Sequence, residues 1–115
     1  MSDIELDELV ERLDDLRVVD VRSTAEFDGS AGYPCDPRQG HIPGAANLDV
    51  QELVALSDDD LRARLGEPGD GEVIVYCHSG SRSDTAAQIL RRAGYAARNY
   101  RGSWHEWSRT ELPAE

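Results

Sequence analysis

Cys77-His78-Ser79-Gly80-Ser81-Arg82 gathers a thiol, an imidazole, small residues and a guanidinium within six consecutive positions of this 115-residue chain. The segment follows Val73-Ile74-Val75-Tyr76, four apolar residues that read as a buried strand, and precedes a helical pattern. A cysteine at the tip of a buried strand, in a tight loop containing Gly80, faces successive backbone N–H groups that form an anion-binding nest. The following helix aims its positive end at the same point, and Arg82 adds a full charge. An unperturbed thiol with a pKa of ~8.5 is only slightly ionised at neutral pH, whereas thiols at helix N-termini beside cations fall to about 3.5 to 7.5. Cys77 therefore reads as a nucleophilic thiolate, and His78, Ser79, Gly80, Ser81 and Arg82 as the cradle for an anionic substrate. All 12 basic residues are Arg, so any cation at the site is a permanently charged planar fork suited to oxyanions.

The elements that position this loop alternate along the chain. Apolar residues from Ile4 to Leu16 recur mostly three or four apart and predict a helix over about 6 to 15. Arg17 to Val21 is a short β-branched run without alternation, as expected of a parallel strand covered on both faces. Ser23-x-x-Glu26 has capping-box spacing and opens a short helix. Residues 28 to 44, with Gly29, Gly32, Pro34 and Pro37, read as loop and close on Gly40-His41-Ile42-Pro43-Gly44. Val50 to Leu56 and Asp58 to Leu65 predict two helices, the second capped by Ser57, and Gly66 to Gly71 a turn. The clearest helix runs from about Ser83 to Ala93, with Asp84 in its first turn, Arg91 and Arg92 in its last, and Gly94 beyond. Ala97 to Tyr100 is a last short strand, and Ser103-x-x-Glu106 opens a terminal helix in which Trp104 and Trp107 share a face as packing anchors.

Alternating strands and helices imply a single α/β domain, with a parallel sheet covered by helices on both faces. Ligand sites in such folds lie beyond the carboxyl ends of the strands. That rule selects Asp20 and Arg22, the Cys77 to Arg82 loop, and Arg101.

The balance of 12 basic against 23 acidic residues gives a net charge of −11, which repels phosphate backbones and anionic lipid. Neither nucleic acid nor a membrane is an expected partner. The longest apolar runs fall far short of the ~20 residues of a membrane span, and Met1 to Glu5 lacks the basic stretch of a signal peptide, so a cytoplasmic protein is expected. Cys35 and Cys77 lie 42 positions apart with no Cys-x-x-Cys pair, so neither zinc nor a disulfide framework is expected. Cys35, in a Pro- and Gly-containing loop, reads either as an incidental residue or as a thiol that relays or resolves chemistry at Cys77.

Four segments together resemble the rhodanese family of sulfurtransferases. They are Val19-Asp20-Val21-Arg22 with Glu26-Phe27, Gly40-His41-Ile42-Pro43-Gly44-Ala45, Val75 to Ser83, and Gly102-Ser103-Trp104-His105-Glu106-Trp107. The resemblance covers essentially the whole chain, in the family's order, and is nearest to the catalytic half of two-domain thiosulfate and mercaptopyruvate sulfurtransferases. It implies a rhodanese-like sheet of about five parallel strands. It also implies transfer of a sulfane sulfur from a donor such as thiosulfate, through a Cys77 persulfide, to a thiol or cyanide, with no cofactor. A protein could also serve as sulfur acceptor. By the same resemblance Arg82 holds the donor's sulfonate, Asp20 and Arg22 form a supporting ion pair, and His41 fixes its loop. Glu26 occupies a position where two-domain members carry a substrate-binding Arg, and His78 and Ser79 depart from both donor-specific loop patterns, which leaves the donor open. A related phosphatase group uses a loop one residue longer between Cys and Arg, which the four residues separating Cys77 from Arg82 do not match. A non-enzymatic persulfide carrier or partner-binding module would share this sequence and stands as the alternative.

Overall fold

The structure, a computed structural model, describes residues 3–115. Met1 and Ser2, the start of the segment read as lacking a leader, lie outside the described residues. Four strands, β1 (Arg17–Asp20), β2 (Ala46–Asn47), β3 (Val73–Tyr76) and β4 (Ala97–Asn99), form one parallel sheet in the order β2-β1-β3-β4. Six α-helices connect or flank them: α1 (Leu6–Arg12), α2 (Thr24–Asp28), α3 (Val50–Leu53), α4 (Asp58–Leu65), α5 (Ser81–Arg92) and α6 (Ser103–Trp107).

β3 lies between β1 and β4, and all four of its residues are buried. This explains its unbroken apolar run: a strand covered on both faces has no side that favours polar residues. On one face Val73, Val75 and Val19 pack with Ala86, Ala87 and Leu90 of α5 and with Leu53 and Leu61. On the other, Val18, Ile74 and Tyr76 pack with Leu9 of α1 and with Trp104 and Trp107 of α6.

α5 ends as its sequence indicates. Gly94 adopts φ +98, its N–H donates to Arg91 O at 3.0 Å, and the Tyr95 N–H reaches Leu90 O at 3.0 Å, a Schellman closure. α2 carries a complete capping box between Ser23 and Glu26.

Among the described residues the sheet has four strands, not the roughly five expected. Beyond β4 the N-terminal segment makes a backbone bond from Ile4 N–H to Asn99 O at 3.0 Å, and α1 begins at Leu6 before a ladder can form. Two helix boundaries also differ. α3 stops at Leu53, and α5 begins two residues earlier than expected, which places Ser81 and Arg82 in its first turn. Among the described residues no helix is long and apolar enough to cross a membrane.

Candidate active site

Cys77 leaves the carboxyl end of β3 and is buried, with 1% of its surface exposed. Gly80, the N-cap of α5, takes φ +98, and a Cβ there would lie 2.8 Å from the Arg101 carbonyl oxygen. Only glycine fits that conformation and that approach. The reversal brings the Gly80 N–H to 3.1 Å from Cys77 Sγ, while Ser83, within the first turn of α5, donates its hydroxyl at 3.4 Å. Burial alone pushes the thiol pKa up. The Ser83 hydroxyl and the N–H groups of Ser83, Gly80 and Ser79 more than offset it and hold Cys77 below the ordinary thiol value.

The turn into α6 holds the loop from the opposite side. Ser103 Oγ accepts the Cys77 N–H at 3.1 Å and donates to Tyr100 O at 2.8 Å. Ser103 has φ +56, the sole positive φ outside glycine among the described residues, and this strained backbone lies against the candidate nucleophile. The N–H groups of Trp104 and His105 donate to Cys77 O and His78 O, each at 2.9 Å, so unpaired donors at the start of α6 satisfy carbonyls of the loop. Asn99 Nδ2 donates to Gly80 O at 3.1 Å.

Asp20 and Arg22 lie at the end of β1 as a buried ion pair. Arg22 Nε is 3.0 Å from each Asp20 oxygen, and Arg22 Nη2 is 2.7 Å from Oδ2. Burial disfavours the guanidinium charge, but Asp20 outweighs it and holds the Arg22 pKa above its usual value. The same Nη2 donates to Gly40 O at 2.6 Å, and Tyr76 Oη accepts the Ile42 N–H at 3.0 Å, so the pair and β3 together pin the segment around His41. His41 stacks on Phe27 at 3.7 Å and places Nδ1 2.8 Å from Phe27 O. Its neighbours therefore stitch one loop to another, away from the sulfur's own partners.

Arg82 points to Glu26, with Nη1 to Oε1 at 3.0 Å and Nη2 to Oε2 at 3.3 Å. Burial raises the Glu26 pKa, but Arg82 and Ser23 pull it below the usual carboxylate value, so the pair is ionic. The Arg82 guanidinium is favoured chiefly by Glu26 and more weakly by Cys77. Its charge is thus shared with a carboxylate, whereas the sequence placed it wholly on the loop. Glu26 also lines a cavity of about 300 Å³ with Ser23, Ala31, Gly32 and Tyr33. Tyr33 stacks on His78 at 3.7 Å, which sets this cavity beside the cysteine loop. Ser79 and Ser81 are exposed, and Arg101 turns outward to Asp3 at 2.9 Å.

Sequence reasoning missed Ser83 and Ser103 as partners of Cys77. Ser83 carried a signal, since a residue early in the helix after a nest can point back at the nest; Ser103 carried none beyond its capping-type spacing. It also missed Asp36, whose side chain is fully buried against His78, His105 and Arg109.

A parallel α/β sheet with a buried cysteine at the carboxyl end of a central strand, ringed by N–H and hydroxyl donors, is an arrangement that favours a thiolate over a thiol. Residues 5–110 match the rhodanese-like domain, and the chain belongs to that family. It is 36% identical over 117 aligned positions to a thiosulfate sulfurtransferase of Corynebacterium glutamicum, covering 87% of this chain and 38% of that protein. It is 38% identical over 106 positions to the sulfur carrier protein TtuD of Thermus thermophilus, covering 78% of this chain and 37% of that one. The structure of a human single-domain sulfurtransferase superposes with a TM-score of 0.73 at 32% identity, over 96% of this chain and 97% of that chain. The chain spans 62% and 37% of the length of curated relatives it matches in Schizosaccharomyces pombe and Haloferax volcanii.

Proposed function

We propose that this chain is a sulfurtransferase that carries a sulfane sulfur on Cys77. The observation that supports this most directly is the Cys77 sulfur itself, buried yet held below the ordinary thiol pKa by the Gly80 N–H at 3.1 Å and the Ser83 hydroxyl at 3.4 Å. The thiolate attacks the outer sulfur of thiosulfate, a sulfur–sulfur bond forms as the donor's own breaks, and sulfite leaves with the electron pair. A thiolate or cyanide then attacks the outer sulfur of the persulfide, and the Cys77 thiolate is regenerated. Each half-reaction exchanges one sulfur anion for another inside the same ring of donors, and no cofactor is required. His78, Ser79, Gly80, Ser81 and Arg82 form the donor's binding surface in this reading, with Asp20, Arg22, Glu26 and His41 fixing the surrounding loops. The reaction suits a reducing, cytoplasmic compartment, which agrees with two unbridged cysteines.

The Thermus relative named as a sulfur carrier supports a second reading, in which the acceptor is a protein thiol and small-molecule turnover is slow. Intact mass spectrometry and steady-state assays separate the two. Thiosulfate alone should add about 32 Da to the wild-type chain as one persulfide sulfur, and Cys77→Ser should lose both the adduct and turnover to cyanide. An adduct retained in Cys77→Ser would overturn the assignment. A full adduct with negligible turnover would favour the carrier.

A further inference from the structure

Cys35, Asp36, His78 and His105 come from three separate segments, yet their candidate ligand atoms all lie within 4.8 Å of one another. We propose that they form a binding site for a zinc ion, which clamps the loop carrying Cys35 and Asp36 to the cysteine loop and to α6.

The strongest sign lies in two buried atoms that have no hydrogen-bond partner, Asp36 Oδ2 and His78 Nε2. They face each other at 2.9 Å without a hydrogen bond between them, and the Asp36 side chain is fully buried. Buried polar atoms are rarely left unpaired, because each has given up its water. A cation bound between a carboxylate oxygen and a neutral imidazole nitrogen would satisfy both. The other two candidate ligands flank the same carboxylate: His105 Nδ1 lies 3.7 Å and Cys35 Sγ 3.9 Å from its second oxygen, Oδ1, and the ligand atoms of all four residues lie within 4.8 Å of one another.

Bonds of about 2.0 to 2.3 Å to a tetrahedral zinc put neighbouring ligand atoms roughly 3.3 to 3.8 Å apart. His78 Nε2 and Asp36 Oδ2 at 2.9 Å are slightly inside that range and the full set spans no more than 4.8 Å, and Cys35 and His105, both exposed, have room to rotate toward the centre. One thiolate, one carboxylate and two imidazoles suit zinc better than hard cations such as magnesium or calcium, which prefer oxygen alone.

Arg109 is the charge that would oppose a cation here, and its position resolves the conflict. Its Nη1 donates to Asp36 Oδ1 at 3.0 Å and its Nη2 to Cys35 O at 3.0 Å, leaving Oδ2 to the metal. A ligating carboxylate whose second oxygen accepts a hydrogen bond is the usual outer support of a zinc centre. Binding would release the Cys35 thiol proton to solvent, and the Cys35 thiolate and Asp36 carboxylate together balance the two charges of zinc.

Reduced protein titrated with zinc by calorimetry, and with cobalt(II) by visible absorption, tests the site independently of catalysis. One equivalent per chain is expected, with intense tetrahedral cobalt bands, a thiolate-to-cobalt transition and a raised unfolding temperature. Cys35→Ser should abolish the thiolate transition and weaken zinc binding at least tenfold, His105→Ala should weaken it comparably, and Cys77→Ser should leave both unchanged. Absence of stoichiometric zinc binding, its survival in the Cys35→Ser/His105→Ala double variant, or its loss in Cys77→Ser would each overturn the proposal. Because Cys77→Ser separates the two thiols, failure here leaves the sulfur-transfer reading standing or falling on its own test.

Discussion

Replacing Ser83 with Ala removes one hydroxyl from the sulfur and tests whether neutral donors make Cys77 a thiolate. The wild-type sulfur keeps the Ser83 hydroxyl at 3.4 Å and the Gly80 N–H at 3.1 Å, and the variant keeps only backbone donors. A hydrogen bond to a charged group contributes about 1.5 to 3 kcal/mol, and a contact this long to a diffuse sulfur belongs at the lower end. About 1.5 kcal/mol is roughly a tenfold change in the thiolate-to-thiol ratio. Alanine suits a helix better than serine does, so the fold should persist. The rate of iodoacetamide modification against pH, in a Cys35→Ser background, reads the thiolate fraction directly. The native Cys77 pKa is lowered, so its thiolate persists as pH falls below the free-thiol value, and the variant's rate should begin to fall at higher pH. The variant should react roughly tenfold more slowly near neutrality. In alkaline solution it should react equally fast or slightly faster, because a more basic thiolate is the better nucleophile. Linkage gives stability the same sign. The contribution of thiolate solvation is present in full above the unfolded thiol's pKa and is lost as pH falls through the folded one, so the variant's denaturant midpoint should fall relative to wild type as pH rises through that window. Superimposable rate profiles would refute the hydroxyl's role and leave the backbone nest to act alone.

Two further substitutions test the supports around the loop. Arg22→Ala strips the cation from a buried Asp20 and the donor from Gly40 O, a loss of about 3 to 5 kcal/mol that should lower the thermal midpoint by roughly 10 to 20 °C; a midpoint within a few degrees of wild type would mean that the pair carries no net stability. Glu26→Gln keeps a carbonyl oxygen for the Ser23 N–H but frees Arg82, and because Arg82 is about a third exposed the gain is small: KM for thiosulfate should fall roughly two- to fivefold at constant kcat. An unchanged KM would place the donor's sulfonate away from Arg82.

Local chemistry accounts for what the sequence made legible. β3, α5 and the capping box of α2 were readable because each is specified by neighbours within a few positions: an apolar run ending at Cys77, a periodic face with charges at both ends, and Ser23 three residues before Glu26. β2 has only Ala46 and Asn47, and its pairing with Val19 and Asp20 comes from tertiary placement, which leaves no pattern to detect. The start of α5 was misplaced because Gly80 serves as N-cap in a left-handed conformation, while its sequence neighbours suggested that the loop ran on to Ser83. In the site, Cys77 and Gly80 were legible as a strand-loop-helix nest. The supports from Ser103, Trp104 and Asn99 were not, because 26 and 27 positions separate Ser103 and Trp104 from Cys77 and 19 separate Asn99 from Gly80, and only the packing of β4 and the start of α6 against the loop brings them together. The cluster around Asp36 was invisible for the same reason.

The electrostatics of the site follow from which donors surround the sulfur. The chain carries a net charge of −11, so long-range attraction does not favour a dianionic donor, and the Arg82 guanidinium in the first turn of α5 is neutralised in part by Glu26. What remains is short-range and dipolar: N–H groups from Ser79, Gly80 and Ser83 and the Ser83 hydroxyl, all fixed by the turn at Gly80. Fixed dipoles stabilise a sulfur anion without contributing a cation that would also bind phosphate or carboxylate tightly. In the proposed reaction the anion is first the thiolate and then the persulfide, and the same donors serve both. On that proposal the backbone has no need to reorganise between half-reactions, because the Ser103 hydroxyl, held at φ +56, accepts the Cys77 N–H and fixes the loop in one conformation.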